Sequence, residues 1–238
     1  MGFPHRLPLL LAALLCCAAP ILGQTTGAQC TVTFETTWSA ATHPVDFPGG
    51  SAHYSQLIGA THNDGVVFWQ PGDFASAGIQ SVAETGATAT FEDEIELDRI
   101  AGFAAGTILG PTTGTPNTVS TSFAVGISHP RVTLVTMIAP SPDWFVGVHG
   151  ELLFEDGTWN TMKVVDLPAY DAGTDSGTTY NATNLPTAPA DPIARVTDPP
   201  LDGAPSLGTF TFECTSDLVF LDGFESADSR AWTLISEN

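Results

Sequence analysis

Two cysteines set the tightest limit on how this chain can fold. Cys30 opens the strand-like run CTVTF, and Cys214 closes the run TFTFEC. Whether they bond depends on the compartment, and the first residues speak to that. Residues 1–28 read as a secretory signal peptide, with His5 and Arg6 as a short positive region and an apolar stretch over 9–22. Cleavage falls near Gly23 or Ala28, and Cys16 and Cys17 leave with the leader. The apolar run is broken by Pro20, is short for a membrane span, and has no successor later in the chain. An even pair of cysteines in an exported protein reads as a disulfide, with two buried free thiols as the alternative. A Cys30–Cys214 bridge would staple the ends of the domain. On the chain-entropy model it contributes about 4–5 kcal/mol.

Between the cysteines the signals are those of strands and turns. Residues 31–38 alternate with Val32 and Phe34 on one face, and further strands are expected over 65–69, 119–127, 131–138 and 207–214. A short helix fits 76–84, ending at Gly86. The acidic run Glu92, Asp93, Glu94, Glu96, Asp98 reads as a solvated surface segment. A Gly/Thr/Pro-rich loop covers 105–117, and six prolines mark 184–205 as an extended connector. Many short strands with frequent turn residues and almost no 3.6-residue period give an all-β fold, an antiparallel β-sandwich with short helical insertions. The domain is bounded at 29–214, with its core over 30–200. Residues 215–238 form an acidic, aromatic tail.

The densest functional information lies in 136–177. Asp156-Gly157 between two apolar runs is a hairpin signal. With those residues as the turn, Glu155 faces Thr158, Phe154 faces Trp159, Val148 faces Val165 and Val146 faces Leu167. The same register sets Asp143 opposite Tyr170 and beside Asp171, with Asp175 following in the loop. Three carboxylates at one sheet end need a counter-charge, and the chain has six Lys and Arg in all. Oxygen-only ligands on loops suit Ca²⁺ better than Zn²⁺. The alternative is three ordinary turn aspartates that cap nearby backbone amides.

Charge narrows the class of function. The formal net charge is −20, which opposes nucleic acid and unassisted docking on anionic membranes. It is compatible with cation binding and with solubility outside the cell.

Several blocks together resemble the spondin domain of extracellular matrix proteins: TFETTWSAATHPVDFP (33–48), HYSQLIGATHND (53–64), 69–86, HPRVTLVTMIAPSPDWFVGV (129–148) and DLPAYDAGTDSGTTY (166–180). They occur in family order over about residues 30–200. The resemblance implies a C2-like β-sandwich that binds one Ca²⁺ through Asp143 of SPDW and Asp171 and Asp175 of DAGTD. It implies an extracellular recognition or adhesion role toward a protein or glycan, without catalysis. Phe154-Glu155-Asp156-Gly157 stands where animal members carry extra cysteines. The ending DGFESADSRAW resembles a tail of exported bacterial proteins, which suggests a bacterial secreted or surface protein.

Two other classes remain open at this stage. A secreted hydrolase could take acid–base chemistry from His62, Asp64, His129 and His149 and a nucleophile from Ser141, yet no GxSxG or HExxH motif is present. A Ca²⁺-dependent lipid-binding module would need basic or apolar loop tips beside the ion, and the net charge opposes it. The sequon at Asn181 carries a glycan only in a host that modifies it.

Overall fold

Ala28, Cys30, Val32, Phe34 and Thr36 are buried while Gln29 and Glu35 between them face water, and this period of two builds the first strand, β1 (Gly27–Thr36). The computed structural model describes residues 26–201 and 205–216. The elements that follow are β2 (His53–Tyr54), β3 (Ile58–His62), α1 (Ala77–Thr85), α2 (Ala89–Ala101), β4 (Ala104–Leu109), β5 (Thr113–Gly114) and β6 (Asn117–Gly126). The second half contributes β7 (Arg131–Ala139), β8 (Trp144–Leu152), β9 (Phe154–Glu155), β10 (Thr158–Trp159), β11 (Lys163–Asp166), β12 (Tyr170–Asp171), β13 (Ala194–Arg195) and β14 (Gly208–Ser216).

These strands form an antiparallel sandwich. One sheet has the order β11-β14-β1-β6, so the first and last strands of the domain lie side by side. Cys30 sits directly opposite Cys214 in that ladder, and the two are bonded. The other sheet runs β13-β12-β8-β7, and β7 pairs beyond with β3 along its first half and β2 along its second. Phe34, Phe210 and Phe212 from the first sheet meet Leu134, Ile138 and Val146 from the second in one core.

A third layer covers the outer face of the second sheet. Val135, Phe145, Ile58 and Ala60 pack there against Ile79 and Val82 of α1 and Phe91 and Ile95 of α2. The central strand β7 is therefore covered on both sides, which is why RVTLVTMIA reads as a nearly continuous apolar run without clean alternation. Gly59 is needed at the same layer, since a Cβ there would collide with the backbone carbonyl of Thr133 on β7.

The two helices are tied at their ends. Ser76 caps α1 by accepting from Ile79 N at 3.1 Å, and Gly86 closes it in the left-handed conformation. Glu94 reaches across from α2, its Oε1 accepting from Gly78 N at 2.7 Å and its Oε2 from Ser76 Oγ at 2.6 Å. Glu94→Ala strips two donors at the start of α1 of their acceptor. It should destabilise the domain by about 1–2 kcal/mol, read as a lower midpoint in urea with an unchanged slope.

Several expectations are met. The helix over 76–84 is α1, the strands over 119–127 and 131–138 are β6 and β7, and the returning strand is β14. Others need correction. Residues 65–69 are not a strand; the apolar signal there comes from Phe68 and Trp69, which are buried in the helix-side core. The acidic run is not a bare solvated segment but part of α2, whose Phe91 and Ile95 face the sheet. The loop expected over 105–117 contains β4 and β5. The connector is mostly irregular, yet it lends β13 to the second sheet.

The hairpin register holds for two pairs only. Glu155 faces Thr158 and Phe154 faces Trp159. Beyond them the two arms part: β8 stays with β7, whereas β11 crosses to the first sheet beside β14. Val148 therefore faces Leu134 rather than Val165, and Val165 faces Phe210. Gly27 and Ala28, placed at the end of the expected leader, belong to β1, and Thr215 and Ser216, placed in the tail, belong to β14. The expected leader over 1–25 and tail over 217–238 lie outside the described residues.

Candidate metal centre at the β8–β12 rim

Where β8 begins, the chain that parted at the hairpin comes back. β12 pairs with β8 through Tyr170 opposite Phe145 and Asp171 opposite Trp144. Asp143, one residue before β8, accepts through its backbone carbonyl from Ala172 N at 3.1 Å. The loop after β12 then turns inward at Gly173, whose positive φ of 74° and close approach to the Asp191 backbone exclude any larger residue. Asp143 and Asp171 are thus neighbours, as expected, although by a register two residues away from the extrapolated one.

Asp143 is fully buried, with 0% of its surface exposed. Its Oδ2 accepts from Thr174 N at 2.7 Å, Asp175 N at 3.0 Å and Thr174 Oγ1 at 3.2 Å. Its Oδ1 is also buried and has no hydrogen-bond partner among the described residues. An ionised carboxylate oxygen left in this state is costly. Burial pushes the Asp143 carboxyl up to about 6, the Asp171 charge adds to that, and the backbone donors offset part of it.

Asp171 is half-buried. Its Oδ1 accepts from Gly173 N at 2.7 Å and its Oδ2 from Trp144 Nε1 at 3.2 Å. Burial raises its carboxyl, and the charges of Asp191 and Asp175 raise it further, against those two hydrogen bonds. Asp175 is 5% exposed, with Oδ1 accepting from Gly177 N at 2.7 Å and Oδ2 from Leu185 N at 2.9 Å.

The three aspartates of the sequence analysis therefore form one chain of interacting charges with Asp171 in the middle. They are not a closed coordination shell: among the described residues, no three His, Cys, Asp or Glu side chains converge tightly enough to hold a metal ion. Asp171 and Asp175 do cap turn amides, as the alternative reading held, but all three are withdrawn from solvent as ordinary turn aspartates are not. Asp143 Oδ1 beside Asp171 is the part of the cluster that suits a hard divalent cation, since it offers an oxygen with nothing else to bind. Asp191 is a member that sequence reasoning missed, because it reaches the cluster from the proline-rich connector.

A groove of about 340 Å³ opens beside Asp171, lined by Trp144, Thr178, Arg195 and Asp198 among others. Arg195 is exposed on β13 opposite Tyr170. Trp144 does not present its ring to solvent: it is 3% exposed and spends its indole N–H on Asp171. Tyr170 is half-buried against Trp69 and Phe145.

The histidines lie elsewhere. His62 is 2% exposed, its Nε2 bonded to Thr133 Oγ1 at 2.8 Å and its Nδ1 to the Asn63 carbonyl at 2.9 Å. His129 is held between Ser128 Oγ and the Gly102 carbonyl. Ser141 bonds both backbone groups of Trp144 and stands at the carboxylate rim, away from either ring.

Comparison with known proteins agrees with this architecture. The family model described as Spondin_N matches residues 28–206. Spondin-1 of Gallus gallus is 37% identical over 172 residues, which cover 70% of this chain and 21% of that protein. Spondin-2 of Rattus norvegicus is 35% identical over 191 residues, covering 77% of this chain and 55% of the relative. Human Spondin-2 is 32% identical over 198 residues, covering 79% and 60%. The matched region thus spans about a fifth of the length of Spondin-1 and somewhat more than half of Spondin-2. With the family model covering most of the domain and these identities alongside it, the chain belongs to the Spondin_N family.

Proposed function

We propose that this chain is an extracellular recognition module of adhesion type, non-catalytic, whose β8–β12 rim is ordered by one Ca²⁺ taken up at Asp143 Oδ1 beside Asp171, with Asp175 drawn in from the adjoining loop as the ion binds. The observation that carries it is the buried Asp143 Oδ1, which accepts no hydrogen bond among the described residues and lies beside a second carboxylate. A bound Ca²⁺ would supply the positive charge that this oxygen lacks. The chain's own residues do the rest. The amides of Thr174 and Asp175 orient Asp143, Trp144 holds Asp171, and Gly173 lets the loop fold close enough to bring them together.

Ordering these residues stiffens the groove formed by Thr178, Arg195 and Asp198, the surface on which an extracellular protein or glycan would dock. Export is supported by the leader-like sequence and by the Cys30–Cys214 bond. Among the described residues no helix is long and apolar enough to cross a membrane. Absence of catalysis is supported by the histidines, since His62 and His129 each spend both ring nitrogens on structural hydrogen bonds.

Protein dialysed against Ca²⁺ at several times Kd should carry about one Ca²⁺ per chain above the dialysate by elemental analysis. Chelator should lower the melting temperature and added Ca²⁺ restore it. At ~100 times Kd the ion stabilises the fold by about 2.7 kcal/mol. Extracellular sites of this kind bind at roughly 10⁻⁴ to 10⁻³ M. Metal-free protein whose melt does not respond to millimolar Ca²⁺ rejects the proposal.

A further inference from the structure

The pole of the second sheet opposite the carboxylates carries a different chemistry. β7 runs from Arg131 to Ala139, so its start and the rim near Asp143 are separated by roughly 25 Å of strand. At that start the end of β3, the start of β7 and the end of β8 lie side by side, because the three strands are antiparallel neighbours. They frame a cleft of about 180 Å³ lined by His62, Asp64, Val67, Trp69, Arg131 and His149 among others.

The composition of this cleft is unusual for the molecule. The described residues contain four Lys and Arg in total, and one of them, Arg131, is here with two of the histidines. Arg131 is fixed on two sides, by its Nε pairing with Asp64 and by its Nη1 donating to the Gly150 carbonyl at 2.8 Å. Its Nη2 makes no hydrogen bond among the described residues and the side chain keeps 31% of its surface exposed, so a preset donor edge remains for a ligand. Asp64 is 82% exposed and offers acceptor oxygens next to that donor. Val67 is 59% exposed, although it is apolar. His149 is exposed with its ring packed edge-on against Trp69 at 4.9 Å, and the Trp69 indole N–H is buried without an acceptor.

From these groups we infer that the cleft is a second ligand site, which takes a single acidic sugar residue of the uronate class. Arg131 pairs with the sugar carboxylate, Asp64 accepts from ring hydroxyls, and Val67 and the His149 ring cover the apolar C–H face. A simple inorganic anion matches this cleft less well, because the apolar wall of Val67 and the His149 ring would have no partner. A neutral sugar offers the Arg131 Nη2 edge no charged acceptor. The volume accommodates one ring rather than a chain, so a polysaccharide would be held by a terminal or exposed residue.

The test is a titration of the full secreted chain with D-glucuronate, followed by protein NMR, with glucose and sulfate in parallel arms. Glucuronate should give saturable shifts at His149 and Trp69, with glucose and sulfate each binding about tenfold more weakly or worse. Arg131→Gln should weaken binding by about tenfold or more, the loss of a charge-assisted hydrogen bond. Arg131 also supports the local fold, so His149→Ala, at an exposed position, serves as the second variant and should weaken binding several-fold. Asp171→Asn and added chelator should leave the glucuronate affinity unchanged, which separates this site from the proposed metal centre. The inference is overturned if glucuronate gives no saturable shift, if the shifts map away from the cleft, if sulfate or glucose binds as well, or if neither variant weakens binding.

Discussion

Replacing Cys30 and Cys214 together by alanine is expected to lower the free energy of unfolding by about 4–5 kcal/mol. The bond joins residues 184 apart in sequence, so it removes a large part of the freedom of the unfolded chain. In the folded state its work is already done by other contacts. β1 and β14 pair over nine residues in one register, with Val32 against Phe212 and Phe34 against Phe210 following the bond along the ladder. The variant should therefore fold to the same structure, with the loss appearing in the unfolded state. Urea unfolding should show a lower midpoint, and refolding should slow while unfolding changes little, because β1 must find β14 without a tether. For a domain whose total stability is of order 5–15 kcal/mol, the reduced protein sits near the edge of folding at physiological temperature. An unchanged midpoint would mean that the unfolded chain is held compact by something else.

The same two strands show what the sequence makes legible. Both strands were legible in CTVTF and TFTFEC, since only one face of each is apolar, and the even pair of cysteines in a chain with a leader-like start pointed to the bridge. The helix at 77–85 was legible from its cap residues, Ser76 and Gly86. The hairpin was legible at its turn and for one pair beyond, where geometry is local. It failed from there because nothing in KVVD states which sheet the strand joins; Val165 is opposite Phe210, on β14, which lies more than forty residues on. The strand at Ile58–His62 was overlooked because GATH is small and buried on every side, with no alternation to read. α2 was hidden by its acids, although Phe91 and Ile95 mark one face at a spacing of four.

Asp143 and Asp171 still meet despite this error, for a physical reason. Tyr170 and Asp171 return to β8 whatever path the intervening residues take, because Tyr170 needs the aromatic surface of Phe145 and Trp69. Asp191 stayed out of sight because its approach depends on Gly173 admitting the connector's backbone, a contact across 18 residues with no local signature.

Asp143→Asn should change the sign of its effect with calcium, and this is the sharpest consequence of the proposed metal centre. In chelator at pH 7 the wild-type chain buries an ionised carboxylate whose Oδ1 has no donor and whose neighbour Asp171 is also negative. Asparagine keeps an oxygen for the amides of Thr174 and Asp175 and turns an N–H₂ toward the orphan position. The variant should then melt at or above the wild-type temperature. In saturating Ca²⁺ the order reverses: the wild type gains about 2.7 kcal/mol at ~100 times Kd, whereas the variant, short of one anionic ligand, gains little. The pH dependence without metal carries the same signature. The Asp143 carboxyl is raised to about 6 when folded, above its unfolded value, so the folded state binds the proton more tightly. Wild-type stability relative to the variant should therefore rise as pH falls through 6 toward the ordinary carboxylate range, and fall again as pH increases. Ca²⁺ should flatten that trend by holding the ionised form. Differential scanning calorimetry of both proteins, with and without chelator at pH 5 and pH 7, contains the whole comparison. A variant that is less stable than wild type by the same margin in all four conditions would assign Asp143 to loop structure alone and remove the ion from the account.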